Sequence, residues 1–283
     1  MYRSLLFVPG NSRRFVDKAR ALKADIICLD LEDSVPANEK GSAREIIADA
    51  LAHRKEYSSP VYVRTNSMES GLVLDDLKAV VKPGIDGIVL PKINDAEEVL
   101  QVVKSVASFE GKLAIIPSIE TAKGVVNAYE IAYADDRVQA LVFGVFDFLY
   151  DMKLDYDEAD PSGYSYARAK VPVDARAAGI SAIDGIWQRI DDMDGLVKDS
   201  EIAKRLGYSG KSLIHPSQVE PVHRVFMPSK NEIEWARKVV QALGQANEKG
   251  TGRGAVRLEG RMIDAVHYKQ ANAILDQLDS AGT

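Results

Sequence analysis

A chain of 283 residues, 46% of them hydrophobic and 28% charged, has ordinary globular composition. It is long enough for one (β/α)8 barrel of roughly 250 residues plus a short extension. A formal net charge of −6 excludes a global basic field that would recruit nucleic acid, so an anionic substrate must be met by local Lys and Arg. No apolar stretch reaches the roughly 20 residues that span a bilayer, and the start lacks the apolar core and cleavage site of a signal peptide, so a cytoplasmic protein is expected.

The first apolar run is Ser4–Pro9. The loop after it, Pro9-Gly-Asn-Ser-Arg-Arg14, holds no Gly-x-Gly-x-x-Gly, which removes the main support for a dinucleotide fold. Arg13, Arg14 and Lys18 open the first helix; such a group meets phosphates or forms a solvated basic face. The second run, Ile26–Leu31, contains Cys28, the single cysteine. It reads as a small core residue, and one thiol forms no internal disulfide, which suits a reducing compartment. Further runs follow at Val61–Thr65, Gly87–Lys92, Leu113–Ile119, Ala140–Gly144, Ala182–Ile186 and Ser212–His215. Most are continuously apolar, as parallel strands covered on both faces are. Helical spacing lies between them: Ala96, Val99, Leu100, Val103 and Val106 mark one helix face. Strands alternating with helices fit a barrel or an open doubly wound sheet, and the count of eight favours the (β/α)8 (TIM) barrel.

Beyond the eighth run the pattern changes, so residues 1–220 are assigned to the barrel and 221–283 to a C-terminal helical extension. Glu232–Leu243 predicts a helix with Ile233, Ala236, Val240 and Leu243 on one side. Residues 247–254 predict a flexible loop, and Gly260–Leu278 a second helix with Ile263, Val266, Gln270, Ala273 and Ile274 along a stripe. That stripe needs a surface: a neighbouring subunit or the barrel's own outer helices.

Barrel active sites lie at the C-terminal ends of strands. The polar residues ending the runs are Asn11; Asp30, Glu32 and Asp33; Arg64 and Asn66; Lys92; Ser118 and Glu120; Asp147; Asp184; and His215. Several carboxylates with few cations fit a divalent ion held by oxygen, and no Cys/His cluster serves zinc. Glu120 and Asp147 end adjacent strands, so both can reach one ion, leaving about four positions of a Mg²⁺ shell to water and substrate. A strand-end carboxylate can equally be a helix cap or an ion-pair partner. Arg64 can grip a carboxylate with two parallel hydrogen bonds or pair with the Asp30, Glu32, Asp33 group.

The chain resembles the citrate lyase β-subunit-like group of the HpcH/HpaI aldolase superfamily. The resemblance rests on Arg3-Ser-Leu-Leu-Phe-Val-Pro-Gly-Asn11, Leu29-Asp-Leu-Glu-Asp-Ser-Val35, Val63-Arg-Thr-Asn66, Leu90-Pro-Lys92, Ser118-Ile-Glu-Thr121 and Gly144-Val-Phe-Asp147. It continues through Tyr166-Ala-Arg168, Ala182-Ile-Asp-Gly185, Gly210-Lys-Ser-Leu-Ile-His-Pro-Ser217 and Met262-Ile-Asp264, in order along almost the whole chain. The resemblance implies a (β/α)8 barrel in a homotrimer or hexamer, with the C-terminal appendage covering a neighbour's active site. It implies Mg²⁺ on Glu120 and Asp147, Arg64 on the carboxylate of a 2-oxo acid, and Asp264 as an acid/base delivered from the adjacent subunit. The implied activity is carbon–carbon cleavage or formation on a CoA thioester such as malyl-CoA or citramalyl-CoA, with Arg14 and Lys18 as candidates for the CoA phosphates. Thioester hydrolysis at the same site and a citryl-thioester lyase subunit are the alternatives. The chain departs from the family pattern in three places. Asp264 is followed by Ala265-Val266-His267 without the usual proline; Phe146 precedes Asp147, where it would narrow the pocket; and Trp187-Gln-Arg189 replaces a stretch that often carries an aspartate.

Overall fold

A strand that is apolar on both faces needs cover on both, and closing a parallel sheet on itself inside a ring of helices supplies it. The structure, a computed structural model, describes residues 2–158, 160–248 and 255–281. The chain forms two compact units, Met1–Phe226 and Met227–Thr283. In the first, β1 (Ser4–Pro9), β2 (Ile26–Asp30), β3 (Val61–Arg64), β4 (Gly87–Leu90), β5 (Ala114–Ile119), β6 (Ala140–Phe143), β7 (Ser181–Asp184) and β8 (Gly210–Leu213) form a closed parallel barrel in chain order. The TIM-barrel expectation therefore holds. Closure runs through Ser4↔Lys211, Leu5↔Ser212 and Leu6↔Leu213. Glycine is needed at the seam, because a Cβ on Gly210 would lie 2.0 Å from the Tyr2 carbonyl oxygen.

The helices of this unit are α1 (Arg13–Ala19), α2 (Lys40–Ala52), α3 (Val73–Val80), α4 (Ala96–Ser105), α5 (Ala122–Val126), α6 (Ala128–Ala132), α7 (Val145–Asp151), α8 (Ser162–Ala177), α9 (Met193–Leu206) and α10 (Val219–Phe226). α4 has the expected position, capped by Asp95, which accepts from the Glu98 N–H. Its buried face is Val99, Val102 and Val106, rotated slightly from the expected stripe.

Alternation along each strand separates two apolar layers. Leu5, Ile26, Cys28, Tyr62, Val89, Ile116, Ala140, Val142 and Ile183 form the barrel interior. Leu6, Ile27, Leu29, Val63, Ile88, Ile115, Leu141, Phe143 and Leu213 face the helices. Cys28 is the buried core residue expected, and burial pushes its thiol pKa up. Among the described residues no helix is long and apolar enough to cross a membrane.

The second unit contains α11 (Lys230–Glu248), β9 (Ala255–Leu258), β10 (Arg261–Asp264) and α12 (Ala265–Ala281). The helix expected from Gly260 is corrected here, since its first turn is an antiparallel strand paired with β9. Glu259 and Gly260, with φ of 48° and 82°, supply the two left-handed residues that a tight hairpin turn requires. Of the expected loop, Asn247 and Glu248 belong to α11, and 249–254 lie outside the described residues. The apolar stripes of α11 and α12 meet within this unit: Ala236, Val239 and Leu243 pack with Ile263, Ala271, Ile274 and Leu275. The C-terminal helix thus has a partner in its own chain segment, which neither expected surface had supplied.

Candidate active site

At the C-terminal mouth, interior parity brings Asp30 of β2 and Arg64 of β3 side by side. Asp30 is fully buried. It accepts Arg64 Nε on Oδ1 and Nη2 on Oδ2, both at 2.7 Å, and also the Glu32 N–H and the Ser34 hydroxyl. Burial alone would raise the Asp30 carboxyl, but the Arg64 charge and its two bonds hold it below the usual range. Arg64 Nη1 also lies 3.0 Å from Glu32 Oε2, and the guanidinium covers the Phe7 ring at 4.4 Å. Of its five N–H groups, one on each terminal nitrogen is left for a ligand. Of its two expected readings, the structure shows Arg64 as the partner of the acidic group.

Lys92 closes the other side. Its Nζ lies 2.6 Å from Glu32 Oε1, 3.2 Å from Asp147 Oδ1 and 3.3 Å from Asp33 Oδ2. Burial works against its charge, yet the bond to Glu32 and the surrounding carboxylates raise its pKa. Lys40 stands behind the same loop, donating to the carbonyls of Leu31 and Glu32.

Glu120 follows β5 and is 4% exposed. Its Oε2 is buried without a hydrogen-bond partner. Burial, then the charges of Glu32 and Asp147, push its carboxyl up to about 8 against the pull of Arg64 and Lys92. Gly144, directly after β6, makes this position possible: a Cβ there would lie 2.5 Å from Glu120 Cγ. Asp147 stands in the first turn of α7, its side chain about one-third exposed.

Five carboxylates thus face Arg64 and Lys92. Two of them, Glu32 and Glu120, keep a buried oxygen without a hydrogen bond, and Glu32 Oε2 still has the Arg64 guanidinium 3.0 Å away. That donor set fits a hard divalent cation. Among the described residues no trio of carboxylate, imidazole or thiol groups converges on one point. An ion here would draw on Glu120 and Asp147 and take its remaining ligands from water and substrate, which is how Mg²⁺ is commonly held.

Other strand-end candidates go elsewhere. Asp184 has the opposite parity to interior Ile183 and faces the helix layer, where Arg168 and Lys211 pair with it. Asn66 binds buried Asp76, Asn11 donates to Glu39, and His215 caps the turn at Pro216–Gln218. Ser118 is buried inside the barrel. Phe146 packs on Tyr156 with ring centres 4.9 Å apart, so it joins the helix-layer packing. Trp187 is buried and donates to the Asp192 carbonyl. Arg14 and Lys18 are exposed on α1, with Arg14 over the Phe15 ring.

Asp264 ends β10 in the second unit. Its Oδ1 lies 2.7 Å from His267 Nδ1 and accepts the Val266 N–H, capping α12. The bond to His267, then its backbone N–H, hold the carboxyl below the usual range. A carboxyl that serves as an acid/base near neutral pH needs a raised value. Here the carboxylate is exposed and hydrogen-bonded, which has the reverse effect. His267, three residues on, had no assigned role; its Nδ1 also lies 3.2 Å from the Asp264 backbone nitrogen.

A family model described as HpcH/HpaI aldolase/citrate lyase matches residues 3–216. The citrate lyase subunit beta of Leuconostoc mesenteroides subsp. cremoris is 37% identical over 280 residues, covering 96% of this chain and 92% of that protein. A (3S)-malyl-CoA thioesterase of Cereibacter sphaeroides is 32% identical over 279 residues, covering 99% and 95%. Among solved structures, the CitE protein of Mycobacterium tuberculosis in complex with magnesium, acetoacetate and coenzyme A superposes with a TM-score of 0.80 at 27% identity, over 97% of each chain.

Proposed function

The chain belongs to the HpcH/HpaI aldolase/citrate lyase family, and from that premise we propose a cytoplasmic, Mg²⁺-dependent carbon–carbon lyase acting on a 2-hydroxy acid CoA thioester. It is an enzyme of the oxo-acid-lyase type. On this reading citramalyl-CoA or malyl-CoA is cleaved reversibly to acetyl-CoA and a 2-oxo acid. The observation that carries it is the buried, unpartnered Glu120 oxygen beside an anchored Arg64 at the barrel mouth.

Glu120 and Asp147 would hold Mg²⁺, which would supply Lewis acidity toward substrate oxygens. Arg64, immobilised by Asp30 and Glu32, offers its two remaining N–H groups to the carboxylate of the 2-oxo acid half. A grip already locked by buried partners loses little freedom when it binds, so the scissile bond is aligned at low entropic cost. The hydroxyl proton passes to solvent water as the carbon–carbon bond breaks, and the electron pair of that bond becomes the enolate of acetyl-CoA. Asp264 of an adjacent subunit delivers the proton; His267 occupies its Oδ1, so Oδ2 carries that proton. Burial against the neighbour must outweigh the His267 bond for this carboxyl to hold a proton. Arg14 and Lys18, exposed on the helix after the first strand, take the CoA phosphates. A homotrimer or hexamer follows from the shared site.

Two relatives support rivals: hydrolysis of malyl-CoA, and a citrate lyase subunit working on a carrier-protein thioester. Incubation with Mg²⁺ and each thioester decides among them. Acetyl-CoA plus glyoxylate or pyruvate is expected, lost in Asp147→Ala. Free malate with its carbon skeleton intact makes the chain a thioesterase, and turnover only of citryl carrier protein makes it a citrate lyase subunit.

A further inference from the structure

Lys92 is unusual in both backbone and side chain. Its φ is +54°, a left-handed conformation that residues with a Cβ seldom adopt. From that turn its ammonium ties three carboxylates together: Glu32 and Asp33 from the loop after β2, and Asp147 from α7. Arg64 is committed to Asp30 and Glu32, so Lys92 is the cation in contact with Asp147. An ammonium 3.2 Å from Asp147 Oδ1 and a divalent ion on the same carboxylate repel each other across a few ångströms.

We propose that Lys92 is the resident counter-ion of the metal site, holding Asp147 while the site is metal-free and releasing it when a divalent ion binds, so that Lys92 sets how tightly the ion is held. The proposal rests on the reading of Glu120 and Asp147 as the metal ligands. Release does not strand the charge, because the 2.6 Å bond to Glu32 can persist when Asp147 is let go. The left-handed backbone is accounted for in the same way, since the three carboxylates over-determine a conformation the residue would not otherwise keep.

The test uses Mn²⁺ as a probe, titrated into the full chain by electron paramagnetic resonance, with Mg²⁺ competition. Lys92→Met is expected to bind Mn²⁺ about tenfold more tightly than the unmodified chain, because a cation is removed within a few ångströms of the ion. Lys92→Gly, which suits the left-handed backbone and so guards against misfolding, should show the same gain. Lys92→Arg keeps the charge and should stay near the original affinity. Unchanged or weaker binding in both Lys92→Met and Lys92→Gly overturns the proposal. Asp147→Asn and Glu120→Gln separate the two ideas. If both lose Mn²⁺, the ligand assignment stands however Lys92 behaves; if both keep full affinity, the assignment falls and the counter-ion role with it.

Discussion

Glu120 shows how far one side chain can be taken from its preferred state. It was legible as a candidate because it ends an apolar run, and Asp147 was legible for the same reason. That Glu120 lacks a partner for Oε2 was not legible, because it depends on Gly144 clearing space directly after the next strand. With its carboxyl pushed to about 8 by burial and by Glu32 and Asp147, protons compete with the metal. The sign is fixed: below about 8 the metal-free site keeps the proton, so binding an ion must expel it. Calorimetric titration with Mg²⁺ should find affinity falling as pH drops from 8.5 to 6.5, approaching about tenfold per unit for one displaced proton. Glu120→Gln should lose most of both the affinity and its pH slope. A flat profile in the unmodified chain would remove Glu120 from the coordination shell.

Among elements, β7 and β8 meet α8 and α9 through a charged cluster. Lys211, 1% exposed, binds Asp184 at 2.6 Å and Asp199 at 2.5 Å, and Arg168 binds the same two carboxylates at 2.7 and 2.8 Å. Burial would raise Asp184, but Lys211 and Arg168 hold it below the ordinary carboxylate value of 3.8. A depressed acid stabilises the fold fully above that value and loses its contribution as pH falls through the lower folded one. Lys211→Met leaves buried Asp184 and half-buried Asp199 to one guanidinium. It should cost about 3–5 kcal/mol in urea unfolding at pH 7 and move acid unfolding to higher pH. Unchanged urea stability would show that the ammonium contributes nothing net. Asp184 had been grouped with the mouth residues because it ends a strand; counting parity from Ile183 would have turned it outward. The β9–β10 hairpin was missed for a different reason. Its strands are four residues each, too short for period two to stand out against the helical stripe that follows.

For the whole molecule, the expected trimer or hexamer is tested by sedimentation equilibrium, with a mass three or six times 31.0 kDa. A monomer at micromolar concentration that still turns over substrate would exclude Asp264 as a group supplied in trans. The sequence by itself determined the number of barrel strands, their order of appearance and the class of fold, since apolar runs and helical stripes are local properties of the chain. It also located the mouth, because strand ends are the places where those runs stop. Only the tertiary structure decided which carboxylate meets which cation. Five acidic and several basic side chains leave many pairings open to the sequence. Closure of the barrel settles them by fixing each strand's angular position and facing, which puts Arg64 on Asp30, Lys92 between Glu32 and Asp147, and leaves Glu120 with an oxygen unpartnered.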